Sequence, residues 1–225
     1  MNTNIERKRK YIRIASDILE KEGIEGISIR RIAKEAGCTS AVLYKHFENL
    51  DYLITLASIR FLEPYITEFR RVVRLENISS IQMDLYLWKF FIGEAFRHAE
   101  VYWVAFFGKN RDDLESCMYD YYSLFPEIEQ EFDGLGASII FSSNLTEREF
   151  IRLRRAVHAG LLTLDSARVL SQLTVAAFTG IFFQDYDLLS EVQNQQILAD
   201  KCYELIYELF ARFVNPDTDL SIDGI

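Results

Sequence analysis

The sequence predicts an all-α protein: an N-terminal three-helix head containing a helix-turn-helix, followed by a larger helical body. Three observations carry this. The 225 residues include only 3 prolines and 10 glycines, leaving long stretches free of helix breakers. Apolar residues recur at i, i+3, i+4 and i+7 along most of the chain, the spacing of one helical face. Helix-start signals stand before those stripes, among them S-x-x-Q at Ser79–Gln82 and T-x-x-E at Thr146–Glu149, each able to satisfy two backbone N–H groups reciprocally.

Taken in order, Met1–Ile5 is expected to be a loose arm. The basic run Arg7-Lys8-Arg9-Lys10 behind it reads equally as a reach toward phosphates or as a solvated helix start. The first helix carries the stripe Tyr11, Ile14, Ala15, Ile18 and Leu19; Gly23 ends it and Gly26 fits the following turn. From Ser28 to Phe47 the pattern is two short helices around a tight turn. Ser28 is placed to cap the first, whose stripe is Ile29, Ile32, Ala33 and Ala36; Gly37 suits its left-handed end. Thr39 or Ser40 can cap the second, which buries Leu43 and Phe47 and leaves Ser40, Ala41, Tyr44 and Lys45 on the other face, with His46 beside them. A small core of Ile14, Ile18, Ile32, Leu43 and Phe47 would join the three. Periodicity alone allows an ordinary amphipathic hairpin; it also allows a helix-turn-helix, whose second helix enters the DNA major groove. On that reading Ser28, Arg30, Thr39, Ser40, Ala41, Val42, Tyr44, Lys45 and His46 are the candidate DNA contacts.

Asn49 can cap a fourth helix running from Leu50 to about Leu75, kinked or broken near Phe61–Glu63 by Pro64. After the Ser79–Gln82 box, with Ile78 and Met83 as its staple, a long helical run reaches Phe107 before Gly108; Leu114–Phe125 follows, closed by Pro126. Asp133–Asn144, with Gly134 and Gly136, reads as a loop. The Thr146–Glu149 box opens a helix over 147–162, Asp165 caps the next to about Tyr186, and a last helix spans about Glu191–Val214. Residues 217–225 are expected to fray. Between Trp88 and Phe125 twelve aromatic residues crowd together. They read as ordinary core or as a small-molecule pocket walled by Trp88, Phe91, Trp103, Phe107 and Tyr122, with Arg97 and His98 to orient a polar group. The segment 166–183 is apolar nearly all round, so burial on most sides is expected.

Residues from about Arg7 to Leu53 resemble the N-terminal domain of the tetracycline-repressor (TetR) family. The resemblance rests on I-R-I-A-S-D-I-L-E-K-E-G-I-E-G-I-S-I-R-R-I-A-K-E-A-G, then L-Y-K-H-F, then the helix start D-Y-L. Two positions depart from the family pattern: Leu50 stands where a phosphate-binding Lys is usual, and Cys38 where Val is favoured. The resemblance implies a DNA-binding domain over residues 1–50 and a ligand-binding and dimerisation domain over 51–225. It implies a homodimer whose last two helices pair across a two-fold axis, here through Leu173, Ala176, Ala177, Gly180, Phe183, Leu205 and Leu209; burial within one subunit is the alternative. It further implies a palindromic double-stranded operator and a small, largely apolar effector, with repression the expected outcome and no cofactor required.

Net charge fits a divided task. Residues 1–60 hold 11 Lys/Arg and 8 Asp/Glu, whereas the remainder holds 14 and 26, so a basic head sits on an acidic body. Three widely spaced cysteines without C-x-x-C argue against a disulfide framework and a zinc site. No signal-peptide pattern or uninterrupted apolar span is read, so no membrane partner and a cytoplasmic location are expected. An enzyme using Cys117, His98 and His158 lacks any supporting spacing. An architectural or adaptor protein on the same scaffold, without effector control, is the nearer rival, kept open by Leu50.

Overall fold

The computed structural model describes residues 3–109, 111–126, 140 and 142–225, and every regular element among them is helical. In chain order these are α1 (Thr3–Glu22), α2 (Ile29–Ala36), α3 (Ser40–Leu43), α4 (Leu50–Ile59), α5 (Glu63–Val72) and α6 (Ser80–Arg97). They continue as α7 (Ala99–Phe107), α8 (Leu114–Leu124), α9 (Leu145–His158), α10 (Leu164–Gln184) and α11 (Val192–Phe213). Contacts divide the chain into two units, Met1–Glu63 with Glu100–Ala137 and Pro64–Ala99 with Ser138–Ile225.

In the first unit α1 packs on α2, α4 and α8, α2 on α3, and α4 on α8. Helix α1 is already formed at Thr3, so the expected loose arm is helical wherever it is described. Half of the basic run serves packing: Arg9 donates to the Leu124 carbonyl and lies over the Phe125 ring at 5.7 Å, and Lys10 Nζ donates to the Ala36 carbonyl at 2.9 Å. The buried face of α1 is Tyr11, Ile12, Ala15, Ile18 and Leu19; Ile14, expected in the core, is only half-buried. The reason is the number of neighbours: α1 has partners on several sides, so its buried rows are broader than one stripe. Ser16, also buried, shows this by donating to the Ala57 carbonyl of α4 at 3.0 Å.

The long helix expected from Leu50 is two. Asn49 caps α4 by accepting from the Tyr52 N–H at 2.7 Å, and a 3₁₀ turn over Arg60–Leu62 separates α4 from α5 next to Pro64. Polar bonds fasten α4 and its end within this unit. Tyr52 donates to Asp120 of α8, Arg60 pairs with Asp17 at 2.7 Å, and the Tyr121 hydroxyl donates to Glu63 at 2.5 Å. The Glu100 carboxylate accepts from the Ile24 N–H at 2.8 Å, which ties α7 to the turn before α2.

In the second unit α11 packs on α6 and α10, and α9 on α6 and α10. The box at Ser79–Gln82 is present in both directions and opens α6. The apolar run expected to reach Phe107 breaks at His98 (φ −120°, ψ 47°), where no Pro or Gly gives warning. Two other starts differ from the sequence reading. Asn144, not Thr146, caps α9, accepting from the Glu147 N–H at 3.1 Å; Thr163, not Asp165, caps α10, accepting from the Ser166 N–H at 3.0 Å. In each case an earlier side chain with a short reach satisfies the free N–H first. Most of the expected 133–144 loop lies outside the described residues. The tail does not fray: Gln82 Nε2 donates to Asp219 at 3.0 Å and to the Ser221 carbonyl at 2.8 Å.

The core of this unit is a run of rings, Trp88–Phe91–Phe178–Phe182, with successive centroids 5.9, 5.3 and 5.5 Å apart. Beside it lies a buried charged cluster. Arg152 donates to Glu149 and, at 2.8 Å, to the Tyr65 hydroxyl, while Asp84 stands 3.3 Å from its Nε. Complete burial, then the Glu149 charge, push the Asp84 carboxyl well above the usual range. Breaking such a pair from one side leaves a bare charge in the interior. Arg152→Met is therefore expected to cost about 3–5 kcal/mol in urea unfolding. Loss of the Ser28 cap by Ser28→Ala should cost about 1 kcal/mol.

Candidate nucleic-acid interface and body pocket

Short-range chemistry sets the angle between α2 and α3. Ser28 accepts from the Arg31 N–H at 3.2 Å and starts α2. Gly37 (φ 72°, ψ 35°) ends it: the Cys38 N–H reaches back to the Ala33 carbonyl at 2.9 Å, and the Gly37 N–H to Lys34 at 3.2 Å. Those paired bonds are the Schellman closure, in which glycine takes the left-handed position without a Cβ clash.

Helix α3 is a single turn. Thr39 precedes it in extended conformation but makes no side-chain cap bond, contrary to the expected cap. Two residues pin the turn: Leu43 is fully buried and Phe47 nearly so, with the Phe47 N–H bonded to the Leu43 carbonyl at 3.0 Å. With those two inward, the residues after Leu43 must face out. Tyr44 is 57% exposed, Lys45 and Ala41 are exposed, and Ser40 and Val42 are half-buried.

Charge follows the same division. Arg31 is occupied by Glu22 and Glu35, whereas Arg30, Lys34 and Lys45 are exposed and have no ion pair among the described residues. His46, one of the candidate DNA contacts, is set less openly than Tyr44 and Lys45. Its half-buried ring lies 5.5 Å from that of Tyr11, its Nδ1 is buried without a partner, and its pKa is lowered by burial and by Lys8, Arg7 and Lys45. Leu50, in place of a basic residue, is the half-buried first residue of α4.

A sequence profile, that of the tetR family of bacterial regulatory proteins, matches residues 12–54, which takes in α2, α3 and the turn between them. That match is confined to the N-terminal part of the chain. An HTH-type transcriptional regulator of Staphylococcus aureus (strain bovine RF122 / ET3-1) is 37% identical over 68 residues, 30% of this chain and 37% of that protein. The chain thus matches little more than a third of that relative's length. At the level of fold the likeness extends further. The structure of a putative tetR-family regulator from Mesorhizobium loti superimposes with a TM-score of 0.59 at 14% identity, over 96% of this chain and 100% of that one. Thermus thermophilus FadR, a TetR-family repressor solved with lauroyl-CoA, gives 0.57 at 12% identity, over 90% and 92%.

The body residues singled out from sequence fall in both units. Trp88, Phe91, Arg97 and His98 belong to the second, and Trp103, Phe107 and Tyr122 to the first. Within the second unit Trp88 and Phe91 line a recess together with Tyr65, Leu145, Arg148 and Arg152, with room for about one water in its closed part. Arg97 and His98 do not line it; Arg97 is exposed and pairs with Glu94. The polar groups at this recess come instead from α9, where Arg148 and Arg152 are almost wholly buried. The sequence held a signal for them: Arg148 and Arg152 are four apart and share a face with Glu149 near the start of an amphipathic helix, yet a charged face normally reads as solvated. As for the enzyme reading, Cys117 lies in the first unit and His98 and His158 in the second; burial pushes the Cys117 thiol to about 12, leaving it unreactive at neutral pH.

Helix α10 carries two apolar faces. Ala167, Leu170, Phe178, Ile181 and Phe182 are buried, while Leu173 and Phe183 are 39% and 40% exposed and Ala176 and Gly180 lie in the open. On α11, Leu205 is 45% exposed and Leu209 half-buried. Only a third of the apolar window of α10 is buried, so burial on most sides is not what this subunit alone achieves. By length and composition that helix could cross a bilayer.

If the exposed face of α3 is the reading surface, Tyr44→Ala and Lys45→Ala should each lower DNA affinity at least tenfold in a gel shift while leaving the melting temperature nearly unchanged. A fall of many degrees would place these side chains in the core instead.

Proposed function

We propose that this protein is a ligand-responsive DNA-binding transcriptional regulator, acting as a repressor. Its residues 1–50 would read a palindromic operator as a homodimer, and residues 51–225 would bind a small, largely apolar effector. The observation that carries this reading is the outward face of α3, with Tyr44 and Lys45 exposed above a pinned Leu43 and Phe47, in a segment matching the tetR-family profile. Small Ser40 and Ala41 permit close approach to base edges, and Arg30, Lys34 and Lys45 supply cations for phosphates.

Dimerisation through α10 and α11 is supported by the exposed apolar stripe Leu173, Ala176, Gly180 and Phe183, whose small members permit close helix contact, with Leu205 and Leu209 beside it. The same stripe on both copies suits an isologous two-fold interface, and a two-fold protein matches a palindrome. A one-sided apolar face fits a protein partner better than a bilayer, which would surround α10. This accords with a cytoplasmic regulator. Effector control is supported by the recess in the second unit and by the lauroyl-CoA held by the Thermus thermophilus protein of similar fold. The effector would favour one of two head spacings, a coupling typically ~1–3 kcal/mol.

The test is a gel shift on DNA upstream of the protein's own coding region. A protected palindrome, with affinity falling steeply as salt rises because Lys and Arg contacts release counterions, is the expected result; salt-insensitive binding counts against it. Leu173→Asp should yield a monomer by analytical ultracentrifugation and weaken operator binding more than tenfold. A variant that stays dimeric would move the interface elsewhere.

A further inference from the structure

The turn that leads α1 into α2 is gripped by two carboxylates from different parts of the chain. Glu22, at the end of α1, holds Arg31 of α2, which Glu35 also engages at 3.1 Å. That grip is local. The other is not: Glu100 Oε2 accepts from the Ile24 N–H at 2.8 Å across 76 positions, within the first unit. Gly23 makes the room for it. Its backbone is left-handed (φ 69°), and a Cβ built on it would lie 2.5 Å from Glu100 Oε2, so any side chain there would both strain the turn and push the carboxylate away.

Ile24 opens the 3₁₀ turn Ile24–Gly26, and Gly23 before it has no side chain to satisfy the free N–H. Glu100 supplies the missing acceptor from another helix. It stands in the first turn of α7, just past the break at His98, and Val101, Tyr102, Ala105 and Phe106 bury that helix. A group carried by an anchored helix is placed more closely than one on a loop. After the turn only the buried Ile27 and the Ser28 cap precede α2, so where Ile24 is held decides where α2 begins and, through Gly37, where α3 points. Glu100 is itself exposed; its bond gives the turn a direction and adds little buried area to the core.

We infer that Glu100 is a positioning residue for DNA reading: by accepting from the Ile24 N–H, its carboxylate sets the attitude of α2 and α3 toward the duplex. This rests on the regulator reading above and adds to it a residue that lies far from the helix-turn-helix in sequence. The sign of its effect separates it from ordinary electrostatics. An acidic side chain on a DNA-binding unit repels phosphates, so deleting one with no other role raises DNA affinity or leaves it unchanged. Deleting an acid that positions the reading helices lowers it.

The test compares the full-length protein with Glu100→Ala and Glu100→Gln by gel shift on DNA upstream of the coding region, by thermal melting and by amide exchange at Ile24 followed by NMR. Glu100→Ala is expected to bind DNA about fivefold more weakly, the order of one lost hydrogen bond, with a nearly unchanged melting temperature and an unprotected Ile24 amide. Glu100→Gln keeps an acceptor oxygen and loses the charge; it should keep Ile24 protected and bind at least as tightly as the wild type. Glu100→Ala binding as well as the wild type, Glu100→Gln as weak as Glu100→Ala, or a melting temperature lowered by many degrees in Glu100→Ala would overturn the inference. An Ile24 amide unprotected in the wild type would do the same. Wild-type protein that binds none of this DNA fails the regulator reading itself, and the inference goes with it, whereas wild-type binding that Glu100→Ala leaves intact removes the positioning role alone.

Discussion

The first unit depends on the burial of Leu43 and Phe47. A helical turn advances about 100° per residue, so once these two side chains are fixed in the core the directions of Ala41, Tyr44 and Lys45 are no longer free. They face water because their neighbours cannot. Gly37 enforces the geometry from the other side: its left-handed backbone turns the chain within two residues and brings α3 onto α2. The outward face of α3 is thus a by-product of core packing. Rigidity comes from outside the helix-turn-helix as well. Glu100 on the Ile24 N–H and Tyr52 on Asp120 hold the head elements to α7 and α8, far away in sequence.

The second unit is organised by a different constraint, the expense of buried charge. Glu149, Arg152 and Asp84 lie at or near zero exposure, and an interior ion pair rarely stabilises more than a well-packed apolar replacement would. A fold that keeps such a cluster, next to a ring-lined recess with an unanswered indole N–H, carries a polar feature that packing alone does not require. The cluster fixes where Arg152 points and therefore what the recess presents. Beside it the stack through Phe91, Phe178 and Phe182 joins α6 to α10, so a change at the recess bears directly on the helix that also exposes Leu173 and Phe183.

Much of this was legible from local chemistry. The Ser28 and Asn49 caps, the Gly37 terminus, the Ser79–Gln82 box and the break beside Pro64 depend on residues a few positions apart, and each stands where the sequence indicated. The family resemblance, carried by α1 to α3, is likewise local. What misled was competition among equally plausible local signals. Asn144 and Thr163 start their helices two residues ahead of Thr146 and Asp165, accepting from the Glu147 and Ser166 N–H groups, and His98 ended a helix that its apolar pattern would have continued.

By itself the sequence determined the helical class, the head and the side of α3 that faces outward, because those follow from periodicity and from bonds spanning three or four residues. Only the tertiary structure decided which charges are buried. Arg148 and Arg152 have the same local pattern as solvated arginines, and their burial arises from Tyr65 and Trp88 more than sixty positions earlier in the chain. It also decided that α10 keeps an apolar face uncovered, since exposure is a property of what packs against a helix and not of the helix itself.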